Sequence, residues 1–231
     1  MSSTPSPADT SHTVHSPGGW RSDLLTGRPG VLLTGPAGAP DAVVSRVGRS
    51  GAGTLVVIDG TTGSGKTDLA GRVRQLLAHQ GRETYLLPTD LLVPGWQTLA
   101  EGVTRTAELL AALARGGEGR APTWDWERMA PGDELRLPAL ADGVLVVEGC
   151  GALAAAAQDL APLTVVRVLV EAPQELRYTR IAARDSYTWD IEAWQAQEER
   201  VRLAWEQTPA WWPQVLVRHG QGPASQTGEL S

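Results

Sequence analysis

Gly60, Thr61, Thr62, Gly63, Ser64, Gly65, Lys66 and Thr67 are consecutive in the chain. They match G-x-x-x-x-G-K-[ST] at every fixed position, a pattern whose chemistry is phosphate binding. Glycines let the backbone curl until successive N–H groups point at phosphate oxygens. A helix opening at the end of the loop adds its positive N-terminal end. Lys66 supplies a mobile point charge for the β- and γ-phosphates, and the Thr67 hydroxyl is of the type that ligates Mg²⁺. The bland alternative is a Gly-rich turn between a strand and a helix. Lys66 argues against it, being the only lysine in a chain whose other long basic residues are all Arg. A compact ammonium stands where a wide planar guanidinium would not replace it.

Three further segments carry candidate chemistry. Pro88-Thr89-Asp90 follows an apolar stretch, and a carboxylate at a strand end can accept the proton of an attacking hydroxyl. The competing reading of Asp90 is a helix cap or turn residue. Val146-Val147-Glu148-Gly149 is an apolar strand ending in a carboxylate, a position suited to holding Mg²⁺ directly or through water. A solvated strand-end Glu is the alternative there. Arg177, Arg180 and Arg184 are spaced by three and four residues, which puts them on one helix face. Such a face suits a lid that clamps phosphates and neutralises developing charge, or it is simply a solvated basic surface.

The remaining reactive residue types are less informative. Cys150 is the only cysteine, so no intrachain disulfide forms, and it reads as a small filler. His12, His15, His79 and His219 show no metal-ligand spacing. Trp189, Trp194, Trp205, Trp211 and Trp212 gather near the C-terminal helix, where they read as core filling the volume that Phe takes elsewhere.

The elements that must position these groups alternate. Leu55-Val56-Val57-Ile58 is a continuous apolar run, as in a strand buried on both faces. Leu69, Val73, Leu76 and Leu77 then form a helical stripe ending near Gly81. Further strands are expected at 84–87, 144–147, 165–170 and 215–217, with helices at 99–115, 173–184 and 191–207. Residues 31–35 read either as a short strand or as a turn crowded by Pro and Gly, and 41–49 as a short helix. Strands alternating with helices imply a parallel sheet covered on both faces. Residues 1–19 and 220–231 lack apolar content and are expected to be disordered tails around one domain at 20–219.

The chain has 231 residues and a formal net charge of -6, which argues against a nucleic-acid footprint. No apolar run approaches the roughly 18 residues of a membrane span, and no signal pattern opens the chain. A soluble, cytoplasmic protein is the expectation.

The order of these motifs resembles the uridine kinase-like P-loop kinases. It runs from the phosphate loop through Asp90, Trp124-Asp125-Trp126 and Glu148-Gly149 to Arg177, Arg180, Arg184 and Asp185. The resemblance covers roughly residues 54–218. It implies an α/β P-loop NTPase three-layer sandwich with a five-stranded parallel sheet, helices on both faces and an Arg-bearing lid. It implies transfer of the γ-phosphate of ATP, with Mg²⁺, to a hydroxyl of a small molecule. By position, Asp90 resembles the family's base and metal partner, Glu148 its metal-site carboxylate, and the three arginines its lid residues. Trp124 and Trp126 fall where pyrimidine nucleoside kinases carry aromatics flanking the base. Leu92 and Met129 depart from the family, standing where an aromatic and a base-reading His are expected. Met offers a base edge no useful hydrogen bond. The expected acceptor is therefore a flat or ring-bearing hydroxyl compound between Trp124 and Trp126, not one read strictly as a pyrimidine nucleoside.

A guanine-specific switch is excluded, because its N-K-x-D motif needs an Asn and a second Lys, and the chain has neither. A nucleotide-binding regulatory module, or an ATPase without small-molecule transfer, is the remaining alternative.

Overall fold

Leu55, Val56, Val57 and Ile58 are all fully buried, and they point alternately to two different cores. That follows from the period of two along a strand. Leu55 and Val57 join one apolar cluster, Val56 and Ile58 the other. The computed structural model describes residues 25–48, 53–208 and 212–220. The expected tails lie outside them apart from Gly220, as does Trp211.

The strands are β1 (Leu32–Thr34), β2 (Thr54–Asp59), β3 (Thr84–Pro88), β4 (Gly119–Asp125), β5 (Ala130–Leu137), β6 (Val144–Glu148), β7 (Thr164–Glu171) and β8 (Val215–Arg218). The helices are α1 (Ala39–Val44), α2 (Lys66–His79), α3 (Leu99–Ala114), α4 (Ala152–Ala155), α5 (Gln174–Arg184) and α6 (Ile191–Glu206). Six strands form one sheet in the order β1-β8-β7-β2-β6-β3, and every neighbouring pair is parallel.

The expected five-stranded sheet is thus corrected to six. The short segment crowded by Pro and Gly does pair, with Leu32, Leu33 and Thr34 opposite Val215, Leu216 and Val217. An edge strand needs partners on one side only, so its flanking Pro and Gly are tolerated.

One core is largely Val. Val144, Val146, Val166, Val168, Val170 and Val217 pack under Leu69, Val73 and Leu77 of α2 and Val43 of α1. The other is largely Leu, with Leu87, Leu145 and Leu169 against Leu109, Leu110 and Leu113 of α3 and Leu153 of α4. Each fully buried side chain of this kind contributes about 1.5–3 kcal/mol relative to exposure. Both cores lie beneath the sheet's faces, leaving the C-terminal ends of β2, β3 and β6 to face a common crevice.

β4 and β5 form a separate antiparallel hairpin between α3 and β6. The sequence reading assigned no strands there. The burial of β5 alternates weakly and most of it is exposed, so no clear period of two appears. Among the described residues no helix is long and apolar enough to cross a membrane.

Candidate active site around the phosphate loop

The loop joins β2 to α2, and Lys66 opens the helix. Gly63 and Gly65 have φ of 79° and 98°, a region where a Cβ would be strained. These two positions let the loop turn in on itself before the helix begins. Ser64 is fully buried and its hydroxyl has no hydrogen-bond partner.

Thr67 and Glu148 meet across the crevice. The Thr67 hydroxyl donates to the Glu148 carboxylate at 3.1 and 3.2 Å. Burial pushes the Glu148 carboxyl above its ordinary range, opposed by Lys66 and reinforced by the neighbouring Asp90. Asp90 sits in a short 3₁₀ turn, Thr89–Leu92, at the end of β3. Because β3 and β6 are neighbours in register, Pro88 opposite Glu148, the two carboxylates arrive side by side.

Burial disfavours the Lys66 charge. The negative groups around it, Cys150 as thiolate together with Glu148, Glu198 and Asp59, more than offset that and hold the ammonium above its ordinary value. Burial beside Glu198 pushes the Cys150 thiol up in turn. At neutral pH it is therefore protonated, and the carboxylates supply the charge that Lys66 feels.

The three arginines divide. Arg177 is buried and donates to the Thr62 carbonyl at 3.4 Å. Arg180 donates to the Gly63 and Ser64 carbonyls at 3.1 and 2.8 Å. Both therefore grip the outside of the phosphate loop. Arg184 alone reaches outward, its side chain 60% exposed and paired with Asp185 through bonds of 2.6 and 2.9 Å. The spacing rule did place all three on one face; tertiary packing laid the first two turns of that face against the loop.

Two buried carboxylates were not anticipated. Asp59, the last residue of β2, accepts from the N–H groups of Gly60, Gly151 and Leu153. Burial pushes its carboxyl up to about 6, these bonds and Lys66 offsetting only part of the shift. Glu198 of α6 accepts at one oxygen from the Thr62 N–H, the Thr62 hydroxyl, the Cys150 thiol and the Trp194 indole. Asp59 was legible as an acidic residue just before the loop. No local signal marks Glu198.

The crevice has a volume of about 640 Å³ and is lined by Lys66, Thr67, Asp90, Glu148, Arg180 and Arg184, together with a group of aromatic rings. Trp126 is among those rings and Trp124 is not. β4 ends at Asp125, between the two tryptophans, so the two-residue alternation that would have aligned them does not continue to Trp126. The Trp124 indole N–H is buried without a hydrogen-bond partner. Met129 lies in the hairpin turn at φ 49°, 47% exposed and outside the crevice lining. Trp189 and Trp194, read from sequence as core, line the crevice together with Trp96 and Tyr187.

A second cavity, of about 220 Å³, lies on the other side of Arg180, lined by Pro36, Gly65, Asp68, Arg72 and His219. The His219 ring meets the Arg180 guanidinium at 3.2 Å. Gly65 and Arg180 border both cavities, so the two spaces meet at the phosphate loop.

No protein-family model matches the chain, and no curated protein matches it by sequence. Solved structures do match by shape. A chain named as a possible uridine kinase from Bacillus stearothermophilus aligns with a TM-score of 0.54 at 16% identity, over 78% of this chain and 98% of that one. A chain named as a putative fructose transport system kinase from Silicibacter sp. TM1040 aligns with a TM-score of 0.53 at 20% identity, over 78% and 97%. The chain shares the α/β fold of these two solved chains, a likeness of structure that is remote in sequence.

Proposed function

We propose that the protein is an ATP-dependent kinase that transfers the γ-phosphoryl group to a hydroxyl of a small molecule. The observation that carries this reading is the convergence of Lys66, Thr67, Asp90 and Glu148 on one crevice. A binding module needs the loop and its lysine. The two strand-end carboxylates facing the loop are what a transfer reaction adds.

The phosphates of the nucleotide lie on the loop's N–H groups and Lys66. The base occupies the smaller cavity, between the Arg180–His219 pair and Pro36. Thr67, Glu148 and Asp90 are the residues that would hold Mg²⁺. Few protein ligands are in keeping with the habit of this ion, which retains waters and phosphate oxygens. When bound it neutralises phosphate charge.

Asp90 accepts the proton of the acceptor hydroxyl. The hydroxyl oxygen forms the new bond to the γ-phosphorus as the bond to the β-bridging oxygen breaks, and ADP leaves with that electron pair. Arg184, exposed at the mouth, meets the charge that develops on the transferring group.

The test is ADP formation from ATP across a panel of hydroxyl compounds, with parent protein and Asp90→Asn. The amide keeps the shape and loses the proton-accepting capacity. Acceptor-dependent turnover should appear in the parent and fall by about 10²–10⁴-fold in the variant, with ATP affinity retained. Hydrolysis independent of any acceptor would favour an ATPase, and binding without turnover a regulatory module.

A further inference from the structure

We infer that the acceptor end of the crevice is an aromatic cage for a cationic amine, so that the hydroxyl compound phosphorylated carries an alkylammonium or similarly charged nitrogen. This inference rests on the kinase reading above and names its substrate class.

Trp96 is the hub of the aromatic group. Trp126 meets it edge-on with centroids 4.8 Å apart at 64°, Tyr187 at 6.3 Å and 61°, and Trp189 stacks on it at 5.1 Å and 21°. At these separations the rings pack on one another, Trp189 covering one face of Trp96, and the π faces left toward the crevice they line carry negative potential. The group is braced from behind. The Gln197 side chain donates to the Trp96 carbonyl at 2.7 Å and accepts from the Leu99 N–H at 3.2 Å. A cage braced in this way loses little freedom when it binds a ligand.

The polar edges of the rings are already committed. The Trp126 indole donates to the Asp90 carbonyl at 2.9 Å, Trp189 to the Asp185 carboxylate at 2.8 Å, and Trp194 to Glu198 at 2.9 Å. These rings therefore offer a ligand their faces and not a donor. The crevice cations among the described residues are directed elsewhere. Arg180 holds loop carbonyls, Arg184 is forked to Asp185, and Lys66 lies in the phosphate loop. A carboxylate-bearing acceptor would have to compete for Arg184 with Asp185, the carboxylate that also takes the Trp189 indole. A nucleobase edge would find few donors. A cation over indole faces, beside the Asp90 carboxylate, finds favourable electrostatics from both.

The bond from Trp126 to the Asp90 carbonyl also fixes distance. It ties the wall of the cage to the residue that takes the hydroxyl proton. An amino alcohol of short span can place its nitrogen among the rings and its oxygen at Asp90.

The experiment has two arms. In the first, tryptophan fluorescence is titrated with hydroxyethyl-trimethylammonium and with its uncharged tert-butyl isostere, which has the same shape with carbon in place of nitrogen. The cation should bind about tenfold more tightly, the scale of a desolvated cation–π contact. That preference should shrink in Trp126→Leu and in Tyr187→Leu. Tyr187 is 58% exposed, so its replacement opens no core cavity and keeps the test valid if the Trp variant fails to fold. Equal binding of the two compounds overturns the inference. In the second arm, ADP formation is measured with amino alcohols, hydroxy acids and nucleosides. Turnover favouring amino alcohols supports the cage. Turnover favouring hydroxy acids or nucleosides overturns it and leaves the kinase reading standing. Cation preference in the first arm with no acceptor-dependent turnover in the second supports the cage and sinks the kinase reading.

Discussion

Glu198 holds the back of the phosphate loop at Thr62, a residue 136 positions earlier in the chain, accepting its N–H at 2.9 Å and its hydroxyl at 2.7 Å. The same oxygen takes the Cys150 thiol and the Trp194 indole, both at 2.9 Å. One carboxylate of α6 thereby joins the loop, the end of β6 and the aromatic wall.

Glu198→Ala should destabilise the protein by at least about 3 kcal/mol, because several buried donors lose their acceptor together. It should also weaken ATP binding, since the loop loses its support from behind. Glu198→Gln retains one acceptor oxygen and should lose less of both. Urea unfolding and calorimetric titration measure the two effects. A stability loss under about 1 kcal/mol, or unchanged ATP affinity, would show the contact to be incidental.

Lys66→Ala should lower ATP affinity by about one to two decades, the value of a charge-assisted contact of about 1.5–3 kcal/mol. Lys66 is half-buried at the crevice and outside both apolar cores, so the fold should survive. Calorimetry showing parent-like affinity would remove Lys66 from the phosphate site.

Arg180 and Arg184 should behave differently, although they lie one helical turn apart. Arg180→Ala removes the donor that holds the Gly63 and Ser64 carbonyls, so ATP affinity and stability should both fall. Arg184→Ala leaves the buried Asp185 carboxylate only the Trp189 indole, so stability should fall by about 1 kcal/mol while the loop keeps its support. This variant should lower turnover more than affinity, because the charge Arg184 meets develops during transfer. Parallel losses in the two variants would put both arginines in the same role.

Asp59 should leave a signature in the pH dependence of stability. Its carboxyl, 3.8 ordinarily and raised to about 6 in the fold by burial, binds a proton more tightly in the folded state than in the unfolded chain. The stability this contributes is fully present below the unfolded value and is lost as pH rises through about 6. Asp59→Asn does not titrate. The stability of the parent relative to this variant should therefore fall as pH rises, by up to about 3 kcal/mol across the window. Urea unfolding of both proteins at several pH values gives the difference directly. A difference that is flat or rises with pH would mean that the backbone donors, not burial, dominate at Asp59.

The phosphate loop, the β2 strand before it and the α2 helix after it were legible because their determinants are local. Glycines set the backbone, one lysine sets the charge, and an apolar run followed by a helical stripe sets the flanks. Asp90 and Glu148 were legible for a related reason, since parallel strands in register bring their C-terminal ends to one edge whatever lies between them. The division of the arginines was not legible. Helical spacing puts Arg177, Arg180 and Arg184 on one face, but which part of that face packs on the loop depends on how α5 docks. The aromatic wall was misread in the same way. Trp124 and Trp126 look equivalent in sequence, and the end of β4 at Asp125 separates them. Trp96 lies on the segment after β3 and Trp189 and Trp194 at the start of α6, and they meet only because α6 packs against that segment. Local sequence fixes what a residue can do and which way its own element presents it. The choice of neighbour across 136 residues, as between Thr62 and Glu198, belongs to the packing of the whole chain.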